Sequence, residues 1–135
     1  MGARDRSGVA ALWLWLRKRA MSFVYASRGF LLLWHTQPNF RIHIVASLCA
    51  VAFGLLFRIL AAEWLILVIT ITIVFTVEGV NTAIEKMVDL CQPDRHPLAR
   101  DVKDLSAAAV LLASTGALIV GVILFGPRFV RMLWG

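Results

Sequence analysis

The sequence predicts an all-α membrane protein, with three transmembrane helices preceded by an N-terminal amphipathic helix on the membrane surface. Three observations carry that prediction. First, 60% of the 135 residues are hydrophobic, 16% are charged and the mean hydropathy is +0.80. A soluble domain of this size cannot hide that much apolar surface. Second, the apolar residues fall in runs of near-membrane length. Ile42–Phe57 holds sixteen residues without a full charge when His43 is neutral, Trp64–Val77 holds fourteen, and Leu105–Phe125 holds twenty-one. A span needs about 20 residues, with a range near 17–25, so the third run qualifies alone and the first two qualify with their flanks. Third, the cations are unevenly distributed. Eleven of the fourteen lie before the first run or between the second and third, while Arg58, Arg128 and Arg131 lie elsewhere.

Taken in order, residues 1–8 are polar and contain glycine, the composition of a flexible tail. A surface helix is expected over residues 9–37. Its apolar start, Val9–Leu16, runs directly into Arg17-Lys18-Arg19. A signal peptide would carry a longer apolar core followed by small residues. Trp13, Trp15, Tyr25 and Trp34 belong at the headgroup level, where amphipathic rings are favoured. Gln37-Pro38-Asn39 is a turn signal, with Pro38 ending this helix or beginning the next.

Residues 38–135 read as one three-helix membrane domain. Spans are expected over roughly 40–60, 64–90 with the last turns outside the lipid, and 100–126, with a short loop over Ile59–Glu63. Pro93 and Pro97 exclude a continuous helix between the second and third spans. The third span is rich in small residues, including Ala113, Ser114, Gly116, Ala117 and Gly121, which let helices approach closely within or between subunits. Cys49 is mid-span and Cys91 lies at the end of the second span. Their depths and compartment argue against a disulfide, and both read as packing residues.

The net charge of +6 and pI near 10.4 could suggest nucleic acid, but their distribution points to membrane headgroups and phosphates instead. By the positive-inside rule, the N-terminus and second loop are cytoplasmic and the C-terminus lies across the plasma membrane.

The chemistry is concentrated in one stripe. Glu78, Asn81, Glu85 and Asp89 are spaced three, four and four apart and so share one helix face. Glu78 directly follows the uncharged run Trp64–Val77. A charge at the bilayer centre costs about 2.5–3.5 kcal/mol on insertion scales, so a carboxylate at that depth points to function. Around it gather Asp94, Arg95, His96, Lys103 and Asp104 at the same membrane face. No P-loop, kinase catalytic loop or His-Glu-x-x-His motif is present, and there is no cysteine–histidine metal pattern. Phosphoryl transfer needs a base for a hydroxyl, a metal bridging phosphates and cations to offset charge. Glu78 and Glu85, about 10 Å apart by helical rise, suit the first two tasks. Helix-end carboxylates paired with Lys86, Arg100 and Lys103 are the competing reading for Glu85 and Asp89. For Asn81 it is an interhelical hydrogen bond, and His43 reads as a packing residue.

Val77-Glu78-Gly79-Val80-Asn81-Thr82-Ala83-Ile84-Glu85 with Val88-Asp89, and the later Lys103-Asp104 run, resemble the signature of the small prokaryotic integral-membrane diacylglycerol kinases, which include undecaprenol kinases. Tyr25, Gly29 and Trp34 resemble that family's surface helix. The resemblance covers about residues 18–126. It implies a homotrimer with active sites shared between neighbours, ATP as phosphoryl donor, Mg2+, and a lipid alcohol as substrate. It places the general base on Glu78, with Asn81, Tyr25, Gly29 and Trp34 on the substrate side. A metal ligand falls on Glu85, and nucleotide contacts fall on Lys18, Glu85, Asp94, Arg95, His96, Lys103 and Asp104. The family's second metal-binding glutamate corresponds to Gln37, whose amide brings no charge. His96-Pro97-Leu98-Ala99-Arg100 and Phe40-Arg41-Ile42-His43 look more like the undecaprenol kinases. Two other readings stand beside the kinase: a transport or proton-relay subunit using Glu78, and a non-catalytic scaffold of kinase descent.

Overall fold

The computed structural model describes the backbone of residues 3–135 and the side chains from Leu12 onward. Four helices follow in order: α1 (Ala3–Thr36), α2 (Pro38–Leu56), α3 (Ala61–Cys91) and α4 (Pro97–Trp134). Among the described residues, α2, α3 and α4 are long and apolar enough to cross a membrane. The chain divides after Thr36 into two compact units, α1 and the three-helix unit α2–α4.

In α1 the helix begins at Ala3, inside the stretch whose composition suggested a tail. No proline interrupts Ala3–Gly8, so nothing in the backbone chemistry stops the helix there. Its aromatic side chains, including Trp13, Trp15, Phe23 and Tyr25, are exposed. Arg19 sits 5.3 Å from the Trp15 ring centroid, in cation–π range.

Pro38 opens α2 because its fixed φ suits the first helical position and its missing N–H would be unpaired there anyway. The other end closes tightly. Ile59 N–H donates to Gly54 O and Arg58 N–H to Leu55 O, at 3.1 and 3.2 Å, the paired bonds of a Schellman cap. Arg58 takes the left-handed position with φ 48°, where glycine is usual. Gly54 is buried in this turn, and a Cβ there would lie 2.8 Å from Trp64 Cη2. The close approach of α2 to the start of α3 therefore requires glycine.

The central helix is α3, which packs chiefly on α4 and less on α2. Its 31 residues span about 46 Å by rise, more than the roughly 30 Å hydrocarbon core, so its ends project beyond the lipid. Ile59, Leu67, Leu124 and Phe125 form the buried cluster, flanked by Phe53, Phe57 and Phe129. Phe129 stands edge-on to both Phe53 and Phe57, with centroids 5.1 and 4.9 Å away. Glu63, at the start of α3, accepts two hydrogen bonds from Arg128 Nη2 of α4, at 2.9 and 2.7 Å. It also accepts the Leu60 N–H at 2.8 Å.

Two sequence expectations need correction. The third span was expected to stop near 126, but α4 continues through Pro127 to Trp134. Proline removes one N–H from the ladder, yet the Phe129 rings and the Arg128–Glu63 bridge hold the following turn against α2 and α3. Cys49 and Cys91 are free, as expected, but both are exposed rather than packed within the protomer. Three helices bury only one side of each span, so most apolar residues of this unit face outward.

Candidate active site

Helical periodicity turns the polar stripe of α3 toward its neighbours. Glu78 is only 2% exposed and Asn81 9%. Both help line a cleft of about 300 Å³ between the three spans. From α2 it takes Asn39, Ile42 and His43; from α3, Glu78, Asn81 and Glu85; and from α4, Ala107, Val110, Leu111 and Ser114. Asn81 Nδ2 donates to Glu85 Oε1 at 3.1 Å, one turn along the same helix. Thr82 Oγ1 donates back to the Glu78 carbonyl oxygen at 3.1 Å, so this hydroxyl is satisfied within the helix.

Glu78 Oε2 and Asn81 Oδ1 are buried without a hydrogen-bond partner. A buried acceptor left unmatched costs about 1–3 kcal/mol, more if charged. With Glu78 ionised both oxygens are acceptors, and a group bringing a donor, such as a hydroxyl, or a cation would satisfy them. The structural reading of Asn81 as an interhelical hydrogen bond is replaced by an intrahelical one to Glu85.

The loop end forms a second and larger cleft of about 960 Å³. It gathers Asp94, Arg95, His96, Lys103 and Asp104, all singled out in the sequence, together with Asp89, Gln92 and Arg100. Lys103 of α4 is paired with Asp89 of α3, which ties the two helices together across the loop. His96 caps α4, its Nδ1 accepting the Leu98 N–H at 3.2 Å. Arg100 and Asp104 pair at 3.5 Å on the exposed face of α4. Such an exposed pair contributes little to stability and leaves both groups available to a ligand. Asp89 lies one helical turn beyond Glu85. A line along α3 from Glu78 through Glu85 to Asp89 therefore runs about 16 Å, from a buried carboxylate to a solvated cleft lined by charges of both signs.

Lys18, Tyr25, Gly29 and Trp34 lie on α1, all exposed on that helix. Gln37 occupies the break between α1 and α2, with extended φ −114° and ψ 106°, and does not line the cleft. Among the described residues no group of three or more His, Cys, Asp or Glu gathers as a metal cage. A magnesium ion that shares its shell with phosphates and water needs only one or two carboxylates, and Glu85 at the cleft could supply one. Asn39, His43 and Ser114 were read from the sequence as turn, packing and small interface residues, not as site residues. Each belongs to a different helix from the stripe, and only the packing of α2 and α4 on α3 brings them to it. His43, flanked by apolar residues, carried the one weak signal, an ionisable ring inside an otherwise apolar run.

Residues 24–125 match the family described as Prokaryotic diacylglycerol kinase. The chain belongs to that family of lipid kinases. It is 37% identical over 107 residues to the undecaprenol kinase of Bacillus subtilis (strain 168), covering 79% of this chain and 87% of that protein. It is also 37% identical over 114 residues to a diacylglycerol kinase of Synechocystis sp., covering 84% of this chain and 65% of the relative. With the diacylglycerol kinase of Escherichia coli (strain K12) it shares 33% identity over 105 residues, covering 78% and 86% of the two chains. The matched stretch contains every candidate residue from Tyr25 to Asp104, and Lys18 lies before it.

Proposed function

We propose that this membrane kinase transfers the γ-phosphoryl group of ATP, with Mg2+, to the hydroxyl of a lipid alcohol, and that undecaprenol is preferred to diacylglycerol. The observation that carries the proposal is Glu78, a carboxylate buried between apolar spans whose Oε2 has no partner. A hydroxyl carried by a membrane lipid supplies the donor this oxygen lacks. Glu78 accepts that proton as the lipid oxygen forms its bond to the γ-phosphorus. The bond from phosphorus to the bridging oxygen breaks, and its electron pair leaves with ADP. Glu85, whose Oε1 accepts from Asn81, would hold the metal. Magnesium bound there would offset phosphate charge. Lys103, steadied by Asp89, and Arg95 face the phosphates, and Asp94, His96 and Asp104 complete the nucleotide side.

By the family resemblance, Lys18 is assigned to the nucleotide and Tyr25, Gly29 and Trp34 to the lipid substrate. The polar groups of one copy are too few to enclose ATP, and most of each span faces outward. Both features favour a homotrimer with shared sites in the plasma membrane. The eleven-to-three cation bias favours a cytoplasmic N-terminus. Single-cysteine labelling near residue 2 and at Gly135, in a cysteine-free background, should place the two ends on opposite sides. Labelling of both from one side would refute the three-span orientation.

A proton-relay subunit would need polar groups beyond Glu78 toward the far face. Thr70, Thr72 and Thr76 are the candidates there, and the first two donate to their own helix, to the Ile66 and Val68 carbonyls at 2.8 Å. That disfavours a relay through Thr70 and Thr72. Transfer of label from γ-labelled ATP to extracted lipid tests the kinase against both the relay and the inactive scaffold. In parallel assays in one detergent, undecaprenol should be the better substrate. An efficiency for diacylglycerol about tenfold above that for undecaprenol, the scale of a one-methylene pocket effect, would overturn the preference.

A further inference from the structure

The cleft that holds Glu78 contains one ionisable group that the reaction above leaves idle. His43 is half-buried and lines that cleft from α2. Its place follows from the helical period. Asn39, Ile42 and His43 fall at i, i+3 and i+4, so they share one face of α2, and all three reach the cleft. Phe40, beside them, is 1% exposed and meets Phe75 of α3 with ring centroids 5.3 Å apart. That contact holds this end of α2 against the helix of Glu78.

The charges of the cleft give His43 its meaning. Two carboxylates, Glu78 and Glu85, come from α3. The α4 residues Ala107, Val110, Leu111 and Ser114 do not ionise, and neither do Asn39 and Ile42 of α2. Among the described residues that line the cleft, His43 is thus the one able to carry a positive charge. His43 and Glu85 are also the two charged groups whose fields reach Glu78. A base must be ionised before it can take a proton. Between apolar spans the ionised form of a carboxylate is the costly one. Glu85 has the wrong sign to offset that cost, and an imidazolium has the right one.

We propose that His43 is a positioning residue: as an imidazolium facing Glu78, it holds the buried carboxylate in its ionised form, ready for the proton of the lipid hydroxyl. The last clause rests on the lipid-kinase reading above, whereas the pairing of charges does not. Glu85 is engaged separately, its Oε1 accepting from Asn81. In Glu78→Gln the imidazole can give up its proton, so that variant leaves no unpaired cation in the cleft.

The test reads the protonation of Glu78 directly, with the full-length protein in phosphatidylcholine vesicles. A protonated carboxyl has its own carbonyl band in the infrared, and the band that Glu78→Gln removes belongs to Glu78. The pH midpoint of that band is compared in the native chain, His43→Gln and His43→Lys. Loss of the charge in His43→Gln should raise the midpoint by at least about one pH unit, the low end for a nearby opposite charge. Lysine keeps the charge and should leave the midpoint unshifted or lowered. The acid limb of turnover against pH, at saturating Mg2+ and ATP, should follow the same order, with the KM for ATP little changed. A midpoint that His43→Gln leaves in place would overturn the pairing. So would an equal rise in both variants, the mark of a cleft that has merely changed shape. Infrared midpoints that move as expected beside turnover profiles that do not would keep the pairing and remove Glu78 as the base.

Discussion

Glu78→Gln should lower turnover by about 10²–10⁴-fold, the range expected when a general base is lost, while ATP affinity is largely kept. Glutamine preserves the shape of the side chain and its ability to accept a hydrogen bond. It cannot take the proton as the lipid oxygen attacks. The same substitution has an opposite consequence for the fold. Glu78 is buried among apolar spans with one oxygen unpartnered. A charge held there costs about 2.5–3.5 kcal/mol on insertion scales, so glutamine should leave thermal stability in detergent unchanged or raised. Loss of activity together with kept or increased stability separates a catalytic carboxylate from a structural one. Near-normal turnover in Glu78→Gln would remove Glu78 from the mechanism. A large fall in melting temperature would instead make it a packing residue.

What could be read from the sequence was what is local along the chain. Leu105–Phe125 declares a span because twenty-one uncharged residues have few alternatives, and the stripe Glu78, Asn81, Glu85, Asp89 declares a face because a helix has a fixed period. The loop cluster could be read for the same reason, since Asp94, Arg95 and His96 are consecutive and lie seven to nine residues before Lys103. What escaped depends on rotation and contact between helices. Glu63 and Arg128 are 65 residues apart, and nothing in either segment announces the bridge that joins the start of α3 to α4. Proline 127 normally marks a helix end, but its turn is held by Phe53 and Phe57 from another helix. His43 read as a packing residue because its own neighbours are apolar. Its place beside Glu78 is set by how α2 lies on α3. Arg58 in the left-handed position breaks the glycine rule that would have located the turn. Local pattern therefore located the buried carboxylate Glu78, while tertiary packing supplied the rest of its cleft.

Glu85→Gln should raise the magnesium concentration needed for half-maximal activity by at least about 10–100-fold, the range found when only the outer-shell partners of metal ligands are removed. The argument rests on charge and spacing. Glu85 is the one carboxylate besides Glu78 that lines the cleft. The two are seven residues apart on one helix face, about 10 Å of helical rise. In the proposed division of roles the buried group serves the hydroxyl and the outer one the metal. Glutamine at position 85 keeps an oxygen but loses the charge that a hard divalent cation binds best. Gln37 offers the converse experiment. It stands at the break before α2, two residues ahead of Asn39, which lines the cleft. Gln37→Glu adds a carboxylate at that end and should lower the magnesium requirement, and in combination it should partly rescue Glu85→Gln. The glutamine at 85 should leave the KM for lipid alcohol nearly unchanged, because the hydroxyl is served by Glu78. Magnesium titrations that superimpose for the native chain and both variants would show that neither position touches the metal. A change confined to the lipid KM would move Glu85 from the metal to the lipid side of the cleft.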